Sequence, residues 1–519
     1  MSETRLDPVT LSVLASALAG VAEEMGAVLI RGAYSSNIKE RRDCSTALFD
    51  ADGRMVVQAE HIPVRLGAMP EAVAAVMVRT PEPGDVFAIN DPYSGGTHLP
   101  DITLVSPVAP DQNGEIVGYA VTRPHHSDVG GMHPGSMPSD SREVYQEGII
   151  ISPVRLVRGG EYVDDVLDLL LANIRTPGIR RGDLRAQIAA NNIAEERIGE
   201  LMQRRGKETV LLAFSEVISY AEKRTREAIA GLPDGEHGAE DYVEGDGTTD
   251  EDIPVKATVK IEGDSININF TGTADVVRGN VNCPLAVTRS ACYFALRVLL
   301  PKDIPANADT YSPLEIEAPE GSLVNAKSPS AVVAGNVETS NRIADAVLAA
   351  FSGFAPEGLP AQGQGTMNNT IIGGRQGRGW TYYETIGDGQ GASERGPGPS
   401  GVHVGMSNTL NTPTEAFEME YPMRVMRYEL LYGSGGDGEN RGGDGIIRSV
   451  RVLEPASLSL LTDRRRHAPR GVEGGEPGAV GENLLNDEEL PPKVSRELEE
   501  GDVVTVKTPG GGGTGNPER

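Results

Sequence analysis

The feature that most constrains this chain is the stretch 42–138, where short apolar segments alternate with loops that contain Gly-Gly and Pro. Glycine and proline favour irregular backbone, so the stretch predicts strands joined by irregular loops. It also carries five of the eight histidines, set among carboxylates that with them make good ligands for a divalent metal. A metal site is the first hypothesis for this region. The residues concerned are His61, His98, His125, His126, His133, Asp43, Glu60, Asp91, Asp101 and Asp128.

Composition and charge exclude several classes of partner. The net charge of −28 opposes binding to nucleic acid, because each phosphate contact needs a cation. No uninterrupted apolar run approaches the roughly 20 residues of a membrane span, and the start MSETRLDPVT lacks the pattern of a signal peptide. We therefore expect a cytoplasmic protein without nucleic-acid or membrane partners. Its three cysteines are too scattered for a disulfide framework, which predicts reduced thiols.

The first half has the periodicity of a sheet followed by helices. Residues 8–30 place apolar side chains at helical spacing after Asp7, with Pro8 in the first turn, which predicts an amphipathic helix. STALFD and RMVVQA, separated by the turn at 51–53, predict a hairpin. Between about 160 and 232 the spacing is helical again. This pattern predicts a helical layer over the preceding sheet.

The second half begins with an acidic, polar segment at 233–253, which predicts a domain boundary or an exposed turn. Apolar and polar residues alternate as in β-strands in the segment VKATVKIEGDSININFTGT. Two segments with helical spacing follow, and the remaining sequence is mostly typical of strands and turns. The predicted class is α+β (mixed α/β). Residues 1–235 would form a mixed sheet with a helical layer that carries the loops of the metal site, and residues 236–519 a mixed, β-rich domain.

His98 and Asp101 form an HxxD pair in a loop that opens a strand, so their side chains can converge on one point. His125-His126 ends the neighbouring strand and Glu60-His61 ends a third. The three connections can therefore meet at one edge of a sheet, where mixed folds build sites.

A structural interpretation of some of these residues is also open. His61 and His126 can be buried hydrogen-bonding histidines, and Asp91 and Asp128 can cap turns in glycine-rich loops. The candidates exceed what one metal needs, and the remainder would orient the ligands.

Two segments of the second half are ambiguous. Gly335, Asn336 and Glu338 precede a predicted helix, where they can bind an anionic group or serve only to cap the helix. The tail TPGGGGTGNPER has the composition of a nucleotide loop but lacks GxxxxGK[ST], and no dinucleotide fingerprint occurs elsewhere. If this protein uses ATP, we expect another chain to bind it.

Several long phrases, spread over nearly the whole chain, closely resemble the hydantoinase B family. That family groups the B subunits of N-methylhydantoinases with the C-terminal part of 5-oxoprolinases and the large subunits of acetone carboxylases. The phrases are STALFDADGRMVVQAEHIPVRLGAMP, GDVFAINDPYSGGTHLPDITLVSPV, HHSDVGGMHPGSMP, EGIIISPVRLV, RGNVNCPLAVTRSA, SAVVAGNVETSNRIADAV and TPGGGGTGNP.

The resemblance implies a hetero-oligomer with a hydantoinase A-type ATPase subunit, which binds ATP and phosphorylates the carbonyl of the substrate. It also implies a manganese site, with zinc or iron as alternatives. Matched by motif, the metal ligands are Glu60, His98, Asp101 and His125, with His126 as the alternate for the last position.

The implied function is the hydrolytic half of an ATP-dependent enzyme that opens the ring of a hydantoin or lactam. His61, His126 or Asp128 is the candidate general base. Two alternatives are metal-dependent carboxylation of a ketone, as in acetone carboxylase, and a non-catalytic scaffold subunit. The chain is short and is not fused to an ATPase half, and it contains the sequence QAEHIP; these features favour the hydantoinase B branch over the carboxylases.

Overall fold

The computed structural model describes residues 5–60, 62–111, 114–375 and 379–517. Within these ranges, helices combine with four β-sheets and with long irregular segments. The predicted α+β class is confirmed.

Seven strands of the first half form one sheet. Its order is β2-β1-β5-β4-β3-β6-β7, and all neighbouring pairs are antiparallel. The sequence predicts a mixed sheet; the observed sheet is antiparallel because most neighbouring strands follow each other in the chain without the helical crossover that parallel strands need. The strands are β1 (Cys44–Asp50), β2 (Met55–Glu60), β3 (Val86–Ile89), β4 (Thr103–Val108), β5 (Gly118–Pro124), β6 (Val154–Arg158) and β7 (Glu161–Tyr162).

Helices accompany this sheet as predicted, and the longest of them packs on β4 and β5 and against the first helix. The side chain of Asp7 caps the first helix by accepting hydrogen bonds from the amides of Val9 and Thr10. The helices are α1 (Pro8–Gly32), α2 (Ser36–Lys39), α3 (Met69–Met77), α4 (Asp164–Ala172), α5 (Pro177–Arg205) and α6 (Lys207–Ile229).

Helix α1 is long and apolar enough to cross a membrane when length and composition alone are considered, although Glu23 and Glu24 interrupt it. Its uninterrupted apolar part therefore stays shorter than a membrane span, although the helix as a whole is long enough. Leu18, Met25 and Leu29 on its inner face are fully buried in a core shared with α5 and the first sheet. A core helix has the same composition as a membrane span, so this property alone is a weak indication.

The second half contains three further sheets, ordered β11-β10-β9-β8, β13-β12-β16-β19 and β14-β15-β20-β17-β18. The segment expected to be a boundary or turn contains β8, which pairs with β9 over ten positions. The elements are β8 (Gly235–Glu244), β9 (Asp252–Glu262), β10 (Ser265–Asn269), α7 (Leu285–Leu299), β11 (Leu314–Glu317), α8 (Ser340–Phe351), β12 (Asn369–Gly374), β13 (Thr381–Glu384), α9 (Thr414–Glu420), β14 (Met423–Leu431), β15 (Gly445–Val452), β16 (Ala456–Leu461), β17 (Glu482–Leu485), β18 (Glu488–Leu490), β19 (Lys493–Leu498) and β20 (Val503–Lys507).

The two halves of the chain share their largest hydrophobic core. Phe49 and Val105 from the first sheet belong to the same buried cluster as Ile268 on β10, Val347 on α8 and Leu461 on β16. The proposed boundary at 235/236 stays a prediction. The cysteines are free, buried thiols, as expected: Cys44, Cys283 and Cys292.

Four irregular segments, 389–398, 435–443, 471–478 and 508–514, pack backbone against backbone, and we call them the glycine bundle. Gly511 N–H donates to Gly443 O and Gly443 N–H donates to Gln390 O, both at 2.9 Å. A Cβ on Gly511 would lie 2.1 Å from Gln390 O, and one on Gly442 would lie 2.0 Å from Gly511 O. Only glycine permits these approaches, so the glycine-rich tail is a packing element.

Candidate metal centre

The loop between β3 and β4 carries the HxxD pair, and buried hydrogen bonds fix its course. The side chain of Asn90 donates to Leu99 O at 2.8 Å and accepts from Ile151 N–H at 2.6 Å. Arg123 on β5 donates to Gly95 O at 2.7 Å. Gly95 has φ +103°, and a Cβ there would meet the backbone of α3 at 2.6 Å. The loop therefore holds the side chains of the pair on a fixed backbone.

Two backbone hydrogen bonds hold the His-His pair that follows β5. His125 N–H donates to Asp43 O, just before β1, and His126 N–H donates to Pro100 O in the HxxD loop, both at 2.9 Å. The end of β5 is thus tied both to the start of β1 and to the loop between β3 and β4.

This arrangement brings His98, Asp101 and His125 together. Their potential ligand atoms all lie within 4.8 Å of one another. Nδ1 of His98 is 3.3 Å from Asp101 Oδ2, and Nδ1 of His125 is 3.9 Å from Asp101 Oδ1. The three side chains are at most 2% exposed, so they form a closed group in the interior.

Asp101 is ionised despite its burial. Burial alone would raise its pKa, but the charge of Arg65 and the contacts with His98 hold that pKa well below its ordinary value. Arg65 Nη2 donates to Asp101 Oδ1 at 2.7 Å, and Thr97 Oγ1 donates to Asp101 Oδ2 at 2.6 Å. A fixed carboxylate therefore stands between the two imidazoles.

His125 is neutral for the opposite reason. Burial, and then the proximity of His98, lower the pKa of His125 well below its ordinary value. Its ring stacks on Tyr383 of β13, with centroids 4.4 Å apart and planes 13° from parallel. Tyr383 in turn donates from its hydroxyl to Asn369 Oδ1 at 2.9 Å, so the orientation of the imidazole is set by a packed ring.

Arg65 joins two buried acids. Its Nη2 atom donates to Asp43 Oδ1 at 2.6 Å as well as to Asp101. Burial raises the pKa of Asp43 even though Arg65 opposes the shift. The hydrogen-bonded partner of Asp43 is thus not an adjacent arginine but Arg65, 22 positions along the chain. The phrase HIPVR, an arginine in an apolar segment beside the predicted ligands, is the signal that could have identified it.

The donor set fits a divalent transition metal. Neutral imidazoles and an ionised carboxylate are what Mn, Fe or Zn take from proteins. In addition, Nε2 of His125 has no hydrogen-bond partner among the described residues, although it is buried. A buried donor or acceptor without a partner is costly, and a bound cation is one way to supply the partner.

The other predicted site residues lie elsewhere or outside the description. Glu60 ends β2, but its side chain is not described, and His61 lies outside the described residues. His126 Nε2 lies 3.0 Å from Gln187 Oε1 on α5, and burial followed by Arg180 lowers its pKa to about 4.

Asp128 is occupied in holding its own loop. It accepts hydrogen bonds from Gly130 N–H, Gly135 N–H and Arg175 Nη1, each at 3.0 Å. Its contacts are those of a carboxylate that fixes a turn.

Two residues from the second half complete the surroundings and were not predicted there. Tyr383 is one, and Asn336 is the other: its Nδ2 atom lies 3.5 Å from His98 Nε2. The sequence marks Asn336 only as part of a possible anion site or cap, and nothing in the strand pattern of β13 marks Tyr383. The site is therefore built from both halves of the chain.

A surface cleft of about 300 Å³ lies elsewhere, between the segments 139–140, 244–250 and 491–496. Its lining includes Lys493 and Arg496 but none of the three clustered residues. The residues that line it include carboxylates but no histidine, so the buried cluster is the better candidate for a transition-metal site.

Comparison with protein families and known proteins gives concordant results. The hydantoinase B/oxoprolinase family matches residues 7–517. An uncharacterised protein of Methanocaldococcus jannaschii is 41% identical over 99% of this chain and 91% of its own length. A Pseudomonas protein named as a B-type D-/L-hydantoinase subunit is 34% identical over 99% of this chain and 90% of its own.

The relation to 5-oxoprolinases is partial. The 5-oxoprolinase 1 of Arabidopsis thaliana is 38% identical over 99% of this chain, but the match covers 42% of the plant protein. This chain thus spans less than half the length of that relative.

Two solved structures share the fold. The ATP-dependent caprolactamase from Pseudomonas jessenii superposes with a TM-score of 0.92 at 29% identity, over 99% of this chain and 92% of that one. Nucleotide-free acetone carboxylase gives a TM-score of 0.87 at 18% identity, over 98% and 76%, and at that identity the likeness concerns the fold alone. Since the family match spans nearly all residues and a relative above 30% identity matches over most of its own length, this chain belongs to the hydantoinase B/oxoprolinase family.

Proposed function

We propose that this chain is the B-type component of an ATP-dependent enzyme that opens the ring of a cyclic amide. A hydantoinase A-type partner binds ATP and phosphorylates the oxygen of the amide carbonyl. Water then attacks that carbon beside the buried cluster of this chain, the ring C–N bond breaks, and phosphate is released. The two chains form a hetero-oligomer in the cytoplasm. The buried cluster of His98, Asp101 and His125 is the observation that carries the proposal.

The relatives support the substrate class and the division of labour. Three of them are named for acting on cyclic amides: a hydantoinase subunit, a 5-oxoprolinase and a caprolactamase. The hydantoinase relative is named as one component of a larger enzyme, which implies at least one other chain. More than half of the plant 5-oxoprolinase lies outside the match. An ATPase on a separate chain accounts for both observations.

His98, Asp101 and His125 would hold a divalent metal, with Glu60 as the proposed fourth ligand and manganese as the proposed ion. When bound, the cation supplies Lewis-acid charge that stabilises the developing oxyanion. Arg65 fixes the orientation of the Asp101 carboxylate, and the Tyr383 ring fixes that of the His125 imidazole. These two residues give the donors a preformed geometry.

Among the proposed general bases, the contacts favour His126. Its Nδ1 atom has no partner in the described part of the chain, and burial keeps the ring in the neutral form that a general base requires. The carboxylate of Asp128 already accepts four hydrogen bonds, two from its own loop and two from Arg175. His61 stays a prediction.

The direct test is the metal content of the purified protein. We expect the wild-type chain to hold about one divalent ion and the variants His98→Ala and Asp101→Ala to lose it. Because the ligands are removed outright, we also expect turnover of a cyclic amide with ATP and the partner to fall by more than about 100-fold.

His133→Ala is a matched control, because His133 lies in the same histidine-rich stretch, is partly exposed and contacts Asp140 at 3.7 Å outside the cluster. This variant should retain both metal and activity. Folded His98→Ala and Asp101→Ala proteins with unchanged metal content would contradict the assignment of the site.

Carboxylation of a ketone is the second candidate, supported by the shared fold with acetone carboxylase. The identity of 18% to that enzyme, against 34% to the hydantoinase relative, favours hydrolysis. Turnover that requires bicarbonate and a ketone would select carboxylation. A complex that assembles and holds metal but turns over neither class would select a scaffold.

A further inference from the structure

A π-helical turn, Gly335–Thr339, immediately precedes helix α8. We call it the π-turn. Ala334 N–H and Gly335 N–H both donate to Asn280 O, at 3.0 and 3.1 Å. A Cβ on Gly335 would lie 1.9 Å from Asn282 O, so this glycine allows the turn to pack closely on the neighbouring backbone. π-turns widen a helix by one residue and are frequent at functional sites.

Most polar side chains of the π-turn and the start of α8 are anchored to the protein. Glu338 Oε1 accepts from Asn369 Nδ2 at 2.8 Å, and Thr339 Oγ1 donates to Val281 O at 2.5 Å. Asn341 Nδ2 donates to Val337 O at 2.7 Å. These contacts fix the turn in place but leave the carboxamide of Asn336 to other uses.

The carboxamide of Asn336 lacks such an anchor. It is 2% exposed, and the one hydrogen bond that its side chain makes with the described residues is long, 3.5 Å from Nδ2 to His98 Nε2. Its Oδ1 atom has no partner among the residues that the structure describes. A buried amide oxygen without a donor is energetically unfavourable, so this atom is expected to meet an N–H group that arrives with a ligand.

We propose that Asn336 is a specificity residue whose carboxamide recognises the ring N–H of the cyclic amide held beside the metal centre. This inference rests on the proposed function, because it takes the cyclic amide as the substrate class. In a ring the amide is cis, so its N–H and C–O groups lie on one edge. With the C–O group directed at the metal cluster, the N–H group meets Asn336 Oδ1 next to His98.

The proposal predicts selection against rings that lack the N–H group. The probes are 2-pyrrolidinone, N-methyl-2-pyrrolidinone and γ-butyrolactone, which share a five-membered ring and a carbonyl but present N–H, N–CH₃ and O. Binding to the manganese-loaded chain is measured by the paramagnetic relaxation of the ligand protons in NMR, without turnover or the partner. We expect the wild-type chain to prefer 2-pyrrolidinone by about 3- to 10-fold, the range of one hydrogen bond.

Asn336→Leu, which is close in size but has no acceptor, should bind the three rings equally. Asn336→Asp retains an acceptor and should keep the preference for the N–H ring, which also guards against misfolding of the leucine variant. Asn173→Leu, on the exposed end of α4, is the matched control and should behave as wild type. All variants are compared for manganese content and for the midpoint of thermal unfolding.

The contradicting outcomes are distinct. An unchanged preference in a folded Asn336→Leu protein overturns the inference but leaves the proposed function intact. Loss of manganese from Asn336→Leu and not from Asn336→Asp also overturns it, because Asn336 would then be a metal ligand. If no ring binds to the wild-type protein near manganese, the substrate class fails, and both the proposed function and this inference are rejected.

Discussion

At the scale of single residues, the candidate site depends on how buried charges balance. Asp101 accepts hydrogen bonds from Arg65 and Thr97 and lies beside the imidazoles of His98 and His125. The guanidinium of Arg65 pairs with both Asp43 and Asp101. When both acids are ionised, these three side chains together carry a net negative charge. A bound cation would offset that charge.

This balance predicts the effect of Arg65→Met. Removing the guanidinium leaves two buried acids without the cation that hydrogen-bonds to both, so we expect the free energy of unfolding to fall by about 3–5 kcal/mol at neutral pH. If Asp101 is a metal ligand, the loss should be smaller with saturating manganese than with chelator, because the metal replaces part of the missing charge. Urea unfolding of both proteins under both conditions measures the difference.

The double variant with Asp43→Asn is the matched control for that experiment. It removes one of the two acids, so it should recover part of the stability lost in Arg65→Met. An equal loss with and without manganese would argue against Asp101 as a ligand.

Residue types and spacing predicted that the HxxD pair and the His-His pair after β5 can meet, because they lie on loops that consecutive strands bring together. The choice of His125 over His126 came from the family resemblance. The neighbours Asn336 and Tyr383 were beyond sequence reasoning. Asn336 contacts His98 across 238 positions of the chain, and no local pattern encodes such a contact. Likewise, the contact between His126 Nε2 and Gln187 depends on how α5 packs on the sheet, and no spacing of residues in the sequence predicts it.

At the scale of elements, periodicity predicted those with a clear buried face. The hairpin β1–β2, the helix α1 with its cap at Asp7 and the helices α5 and α6 follow that rule. Strand β8 was missed because its sequence GEHGAEDYVE is polar and largely exposed, and its position is set by backbone pairing with β9. The glycine bundle was missed because it has no hydrophobic period at all.

The glycine bundle predicts a strong contrast between two glycines. In Gly511→Ala the new methyl group would lie 2.1 Å from Gln390 O, and we expect a loss of about 3 kcal/mol or more in the free energy of unfolding. In Gly178→Ala, in the first turn of α5, the methyl group has no atom within 4 Å, so we expect a gain of about 0.4–1 kcal/mol. Thermal unfolding of the two variants and wild type tests this contrast, and equal midpoints would show that the bundle tolerates side chains.

At the scale of the whole molecule, both halves contribute to one core and to one candidate site. The largest buried cluster extends from the first sheet to β16, and the ligand cluster contacts Asn336 and Tyr383 of the second half. We therefore expect the chain to unfold as one cooperative unit, although its length would permit separate domains.

The single tryptophan gives a test of that cooperativity. Trp380 packs against a core of the second half, whereas the longest helices, α1, α5 and α6, lie in the first half. Tryptophan fluorescence and helical circular dichroism therefore report mainly on different halves. We expect the two transitions to coincide. Removing the metal with a chelator should lower both midpoints together, since a ligand at about 100 times its Kd adds about 2.7 kcal/mol. Separate transitions, or a shift in only one, would show independent halves.

The glycine bundle also affects how fast a newly made chain reaches this structure. Its segments are far apart in the sequence, so each must close a long loop before Gly511 can bond to Gly443 and Gly436 can bond to Gly511. Contacts of that kind slow folding, and glycine loses more backbone freedom than other residues. We expect the bundle to assemble late. Until it does, its unpaired backbone amides and carbonyls are available to other chains. The segments that pack tightly in the native molecule are therefore a site where folding intermediates can aggregate.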